Sequence, residues 1–127
     1  GTIVRTSAAF GFDKILLTNE TVNPWSSKAL RSSMGGNFKV KIEKNLNYNQ
    51  ILNYLIKEER LLIVLADSKE LANAFDLKDF EKEFKKLKQT CTKIMIVIGN
   101  ESIGIEDDLY EIIKKAKLKN KSLKSLI

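Results

Sequence analysis

Several kinds of residue are scarce in this 127-residue chain, and each scarcity narrows the class of protein it can be. Histidine is absent, and we predict no metal site. The one cysteine, Cys91, permits no internal disulfide, which fits a reducing compartment, so we expect a cytoplasmic protein. No apolar run approaches the roughly 18 residues of a membrane span, and no stretch has the shape of a signal peptide. We therefore expect no membrane partner.

Positive charge is what the chain has in excess. Lysine and arginine total 22 against 16 acidic residues, which gives a net charge of +6. A basic balance favours an anionic partner, nucleic acid before membrane. Most of the lysines are scattered along predicted helices, however, and a solvated surface without functional meaning is the open alternative.

Helical and strand patterns alternate along the chain, and its length fits one domain over residues 1–127. We predict strands over 14–18, 37–42, 61–66 and 94–98, the second with one wet face as at a sheet edge. We predict helices over 2–10, from Ser26 or Ser27 to about Met34, after Asn47, around Leu71, Ala72 and Phe75, around Phe80, Phe84 and Leu87, and over 105–117. This order predicts an α/β fold with a mostly parallel sheet flanked by helices. Residues 117–127 are left unassigned.

The run from Ile94 to Ile98 is continuously apolar, as expected for a parallel strand covered on both faces. Ligands of such sheets collect at the carboxyl ends of the strands, where Gly99 and Gly104 flank the single carboxylate of Glu101. The two glycines have the spacing of a phosphate loop, but Ile105 and Glu106 stand where Lys and Ser or Thr would be needed. A nucleoside triphosphate site is therefore not predicted.

Three places carry polar residues that point to a site, and each has a simpler interpretation. Arg5 is in a short helix, where an arginine is usually a surface charge. Glu101 follows a strand, but could merely cap the helix predicted to begin at Ile105. Lys28 and Arg31 fall in the segment 23–36, where a solvated helix face is the alternative. Trp25 could stack on a base, but beside the only proline we expect it to pack locally.

The same three places, in order, resemble the SpoU (TrmH-like) branch of the SPOUT RNA methyltransferases. Residues 1–11, GTIVRTSAAFG, with the strand at 14–17 resemble the first motif of that family. Residues 23–35, NPWSSKALRSSMG, resemble the segment that follows it, and residues 96–105, IVIGNESIGI, resemble the second motif. The resemblance covers roughly residues 1–118.

This resemblance implies transfer of a methyl group from S-adenosylmethionine to a ribose 2′-hydroxyl of RNA, with rRNA favoured over tRNA. It also implies a SPOUT-type fold with an α/β trefoil knot, and a homodimer whose site borrows an arginine from the partner chain. The site residues that it implies fall into three groups: catalytic Arg5 and Glu101; cofactor-binding Ala66, Gly99, Asn100, Gly104, Leu118 and Leu123; and RNA-binding Arg5, Lys28 and Arg31.

For the mechanism we expect Arg5 to remain charged, because a guanidinium is effectively never deprotonated in proteins. It would hold the RNA phosphate or the 2′-oxygen, and Glu101 would fix its fork, or the cofactor loop, by charge-assisted hydrogen bonds.

Two parts of the family pattern are missing. The asparagine that begins the first motif, and the strand ahead of it, are absent. Only Leu118, Ser122 and Leu123 match the third motif, with Lys124 in place of its asparagine. We therefore expect a fragment of a working enzyme or a degenerate relative, with weak or no S-adenosylmethionine binding by residues 1–127. The alternative function is a catalytically inactive RNA-binding or dimerisation module of the same fold. A small-molecule-binding domain unrelated to RNA is disfavoured by the ordered matches.

Overall fold

A computed structural model describes residues 1–67 and 76–126. The helix predicted around Leu71, Ala72 and Phe75 lies outside the described residues. Helices and strands alternate through the described part, as the sequence predicts, and every described strand pair is parallel, which confirms the α/β class. In chain order the elements are α1 (Thr2–Ala9), β1 (Lys14–Thr18), α2 (Ser27–Ser33), β2 (Lys41–Leu46), α3 (Tyr48–Lys57), β3 (Leu61–Ala66), α4 (Leu77–Lys88), β4 (Lys93–Ile98), α5 (Asp107–Lys119) and β5 (Lys124–Leu126).

The chain divides into two compact units, residues 1–48 and 49–127. In the first unit β1 pairs in parallel with β2, while α1 packs on α2. The side-chain hydroxyl of Ser26 accepts a hydrogen bond from the Ala29 amide at 3.3 Å, as predicted for a helix cap. Between Leu16 and Thr18 the register shifts, and β2 accommodates its extra residue with Asn45 at a φ of 59°. Val4 and Val40 are the buried apolar residues of this unit.

The prediction of a strand over 37–42 is wrong for residues 37–40. Residues Gly36–Phe38 form a 3₁₀ turn, and the strand begins only at Lys41. Gly35 has a φ of 82°, which suits a turn, and the side-chain amide of Asn37 donates to the Pro24 carbonyl oxygen at 2.7 Å. These contacts outweigh the alternation of apolar residues that suggested a strand.

The second unit contains a three-stranded parallel sheet of order β4-β3-β5. Its central strand β3 is the most buried, with Leu61, Leu62, Ile63 and Leu65 all in the core. Helix α3 buries Ile51 and Leu55, and α5 buries Ile112, Ile113 and Ala116. Two acids in the first turn of α5 and two lysines in its last turn match the helix dipole, as predicted.

Strand β4 differs from the prediction that both of its faces are covered. It is an edge strand within the described sheet, and Ile94, Ile96 and Ile98, which alternate along it, are exposed. Alternating residues of a strand point to one face, so one apolar face of β4 is open.

Strand β5 was not assigned from the sequence. Its three residues pair with β3, where Lys124 lies opposite Leu62 and Leu126 opposite Val64. Across residues 1–67 and 76–126, none of the helices combines the length and apolar character that crossing a bilayer requires.

Candidate functional site

The loop between the two glycines is a closed hairpin at the carboxyl end of β4. Asn100 and Gly104 exchange both backbone hydrogen bonds, at 2.9 and 2.8 Å. The Asn100 side-chain oxygen Oδ1 also accepts from the amides of Ser102 at 2.7 Å and Ile103 at 3.4 Å. One asparagine therefore fixes most of the loop.

Glycine is required at positions 99 and 104, because other atoms lie where a Cβ would be. A Cβ at Gly99 would overlap the Gly104 backbone, and a Cβ at Gly104 would overlap the carboxylate oxygen Oδ1 of Asp67. Gly104 also has a φ of 71°, where a side chain is strained. The glycine spacing thus serves loop closure, which agrees with the exclusion of a phosphate loop.

Asp67 is a site residue that sequence analysis missed. It follows β3, and its Oδ2 accepts from the Tyr110 hydroxyl at 2.7 Å and from the Ile105 amide at 3.3 Å. Burial, then the hydrogen bond to Asp67, raise the pKa of Tyr110 to about 12. The carboxylate therefore ties the end of β3 to the glycine loop and to α5. Its position after a buried strand was the only indication in the sequence.

Glu101 lies at the exposed tip of this hairpin. Its carboxylate forms no hydrogen bond or ion pair within residues 1–67 and 76–126. It does not cap α5, because that helix begins at Asp107 and Glu106 occupies its cap position. The capping alternative for Glu101 is thereby removed, and its catalytic role stays a prediction.

The predicted cofactor residues fall at opposite ends of the strands of the sheet. Ala66, Gly99, Asn100 and Gly104 lie at the carboxyl ends of β3 and β4. Leu123 immediately precedes β5 and lies beside the amino end of β3. At 3.3 Å per residue, that end is about 16 Å from the carboxyl end of β3.

Leu118 and Leu123 also differ from one another in burial. Leu118 is exposed near the end of α5, and Leu123 is in the core. Leu118 lies about 17 Å along α5 from Asp107, the first residue of the helix after the loop, at 1.5 Å per residue. The structure therefore brings neither residue to the glycine loop.

A cavity of about 470 Å³ lies at the amino ends of β3, β4 and β5. It is open to solvent, and the residues that line it are Arg60, Gln89, Thr90, Thr92, Ser122 and Lys124. Ligand sites of parallel α/β sheets form at carboxyl ends of strands, so volume alone does not make this cavity the site.

Arg5 lies in the first unit, on α1. Its guanidinium Nη1 donates to the Met34 sulfur at 3.6 Å, and Met34 has a φ of 50° at the end of α2. Around this contact is a shallow depression of about 170 Å³, lined by Arg5, Ala8, Ala9, Ser33, Met34, Gly36 and Lys39. Two cationic side chains at one depression make it suited to an anion.

Lys28 and Arg31 are exposed on α2, the helix that ends at Met34. Ion pairs are absent, within the described part of the chain, from four cations: Lys28, Arg31, Arg5 and Lys39. The predicted RNA-binding residues therefore lie on two helices that pack together. Glu101 belongs to the other unit.

The positive charge is concentrated in the first unit. Residues 1–48 hold seven lysines and arginines against three acids, a net charge of +4, whereas residues 49–127 hold fifteen against thirteen, a net charge of +2. Within the first unit Glu43 pairs with Lys14 at 3.7 Å and with Lys41 at 3.2 Å, both on the strands. The cations left without ion pairs include those on α1 and α2.

The glycine loop offers S-adenosylmethionine an apolar wall and few hydrogen-bond donors. The amides of Asn100, Ser102, Ile103, Gly104 and Ile105 are already bonded within the protein. Ala66, Ile98 and Ile103 are exposed around the loop. The exposed surface at the loop is therefore apolar, which suits the apolar parts of the cofactor.

Comparison with known proteins identifies relatives. The SpoU rRNA Methylase family profile matches residues 1–123. The human rRNA methyltransferase 3, mitochondrial, is 40% identical over 63 residues, which are 50% of this chain and 15% of that protein. The zebrafish (Danio rerio) rRNA methyltransferase 3A, mitochondrial, is 38% identical over 68 residues, which are 54% of this chain and 15% of that protein. The aligned segments thus cover only a small part of these relatives.

Proposed function

We propose that this chain, which belongs to the SpoU rRNA Methylase family, takes part in methyl transfer from S-adenosylmethionine to a ribose 2′-hydroxyl of rRNA. The observation that carries this proposal is the family match over residues 1–123, which includes both Arg5 and the glycine loop. The cationic depression at Arg5 supports it, because RNA presents a phosphate at every nucleotide.

Arg5 acts as a fixed cation in this proposal. A guanidinium does not give up its proton, so it holds a phosphate or the 2′-oxygen and stabilises negative charge that develops there. The contact with Met34 orients the guanidinium over the depression, where Lys39 adds a second positive charge. Lys28 and Arg31 extend the contact to neighbouring phosphates.

Ala66, Gly99, Asn100 and Gly104 form one wall for S-adenosylmethionine, which supplies the methyl group on its sulfonium sulfur. Asp67 positions that wall, since it bonds to both Ile105 and Tyr110. The exposed carboxylate of Glu101, which forms no hydrogen bond within the described residues, would accept a hydrogen bond from an incoming ligand. A homodimer and a cytoplasmic location are further parts of the proposal.

The second candidate is an RNA-binding module without transfer activity. Two observations favour it: the loop amides are bonded internally, and Leu118 and Leu123 lie away from the loop. Under this proposal the first unit binds RNA and no methyl group is transferred.

The test is an assay with rRNA and isotopically labelled S-adenosylmethionine over a range of cofactor concentrations, with RNA retention measured in parallel. We expect methyl incorporation at 2′-oxygens, and a loss of roughly tenfold or more in Arg5→Lys, because the planar fork is lost while the charge is kept. Arg60→Lys is the matched control, since Arg60 lies at the amino-end cavity.

Three outcomes separate the proposals. Retention of RNA without incorporation favours the second candidate. Incorporation by Arg5→Lys at the wild-type rate contradicts the role of the guanidinium. Calorimetric titration with S-adenosylmethionine is expected to show weak binding, and micromolar affinity would contradict the expectation of an incomplete pocket.

A further inference from the structure

Two aromatic side chains of the first unit form an exposed pair. The rings of Trp25 and Phe38 meet edge to face, with centroids 5.9 Å apart and planes at 62°. Phe38 is 79% exposed and Trp25 is 40% exposed. Large apolar rings are usually covered in a protein of this size, so a fixed and open pair needs an explanation.

Hydrogen bonds hold this pair in place from both sides. The side-chain oxygen of Asn23 accepts from the Trp25 amide at 3.1 Å. The buried Asn37 donates from its side-chain amide to the carbonyl oxygen of Pro24 at 2.7 Å. The loop that carries Trp25 is thus tied to the turn that carries Phe38, and binding to the rings requires little ordering of the chain.

The pair continues directly into the cationic depression. Lys39, which lines the depression, follows Phe38 in sequence, and Gly36, two residues earlier, packs against the backbone of Arg5. A Cβ added at Gly36 would lie 3.1 Å from the Val4 carbonyl oxygen and 3.2 Å from the Arg5 Cα. The turn that carries Phe38 therefore also carries Lys39 and packs on the helix that carries Arg5.

We propose that Trp25 and Phe38 form a stacking surface for an unpaired RNA base, while Arg5 and Lys39 hold the adjoining phosphate. Single-stranded nucleic acids are bound in this manner, by aromatic rings that stack on bases beside cations that follow the backbone. The net charge of +4 on residues 1–48 favours RNA over an acid-poor or cationic protein surface as the occupant. This inference rests on the proposed function only in taking RNA as the ligand.

The first test measures the affinity of the chain for a single-stranded oligoribonucleotide and for the same sequence as a duplex, by fluorescence anisotropy. Phe38→Ala should weaken single-strand binding by about 5- to 150-fold, and Phe38→Tyr should restore it, because a stacked base contributes about this much. Phe10→Ala is the matched control, since Phe10 is also 79% exposed and lies in the same unit. Circular dichroism verifies that each variant is folded.

The second test uses Trp25, the only tryptophan of the chain, as the reporter. Single-stranded RNA should quench its fluorescence, whereas an abasic strand with the same phosphates should bind without comparable quenching. The abasic strand should also bind wild type and Phe38→Ala equally well.

Several results would overturn the inference: wild-type affinity in Phe38→Ala, an equal loss in Phe10→Ala, equal preference for the duplex, or no RNA binding at all. None of these measurements uses a methyl donor. If the bases stack but no methyl group is transferred, the proposed enzyme activity fails and the stacking surface stands. If methyl groups are transferred and Phe38→Ala binds RNA as the wild type does, the stacking surface fails and the enzyme activity stands.

Discussion

At the scale of single residues, the arrangement around Asp67 decides the shape of the candidate site. A half-buried carboxylate accepts from a hydroxyl and an amide that are distant in sequence, and the absence of a side chain at Gly104 leaves room for it. Charge-assisted hydrogen bonds of this kind contribute more than bonds between neutral groups. The loop that bears Glu101 is therefore fixed internally by Asn100, while Asp67 ties it to β3 and α5.

The comparison of two glycines tests this arrangement. Gly104 and Gly11 have nearly equal φ values, 71° and 73°, but only Gly104 has Asp67 where its Cβ would lie. Gly11→Ala should cost about 1–2 kcal/mol from backbone strain alone. Gly104→Ala should cost at least about 1 kcal/mol more, because the bonds of Asp67 are disturbed as well. Urea denaturation of both variants measures the difference, and equal losses would show that Asp67 does not need the space.

At the scale of elements, period and capping predicted those helices and strands whose partners are local. Helix α2 begins after Ser26 and β3 occupies Leu61–Ala66, as expected. The start of β2 was missed because the turn before it depends on Asn37 reaching Pro24, thirteen residues earlier. Strand β5 has three residues, too few to show an alternation.

The candidate site was predictable to a similar extent. The glycine loop follows from its composition and from its place after an apolar strand. The bond between Asp67 and Tyr110 joins residues 43 apart, and no local pattern indicates it. The open face of β4 depends on which element covers it, which the sequence of the strand does not contain.

Strand β5 supplies the prediction for this scale. Leu123, the residue before this strand, is 3% exposed, and Leu118, five residues earlier, is 72% exposed. Leu123→Ala should lower the free energy of unfolding by about 2–4 kcal/mol, through lost burial and the cavity left behind. Leu118→Ala should change it by less than about 0.5 kcal/mol. Chemical denaturation checks both values. If Leu118→Ala keeps wild-type stability yet weakens S-adenosylmethionine binding, the cofactor role first assigned to Leu118 is restored.

At the scale of the whole chain, the excess of positive charge has a location. The first unit carries a net charge of +4 on 48 residues, and the second a net charge of +2 on 79 residues. Exposed Arg31 and Lys28 lie on the helix that ends beside Arg5. The alternative of a uniformly solvated lysine surface therefore describes the second unit better than the first.

The salt dependence of RNA binding distinguishes the two units. Each phosphate contact with a single strand releases counterions and contributes about 0.7 to the slope of log K against log salt. Arg31→Gln should therefore reduce that slope by about 0.7 and weaken binding of different sequences to a similar degree. Lys115→Gln removes the same charge from the exposed face of α5, in the second unit, and should leave the slope unchanged. Because both variants have the same net charge, a common reduction in slope would mean that RNA responds to total charge, and the assignment of RNA binding to α1 and α2 would be wrong.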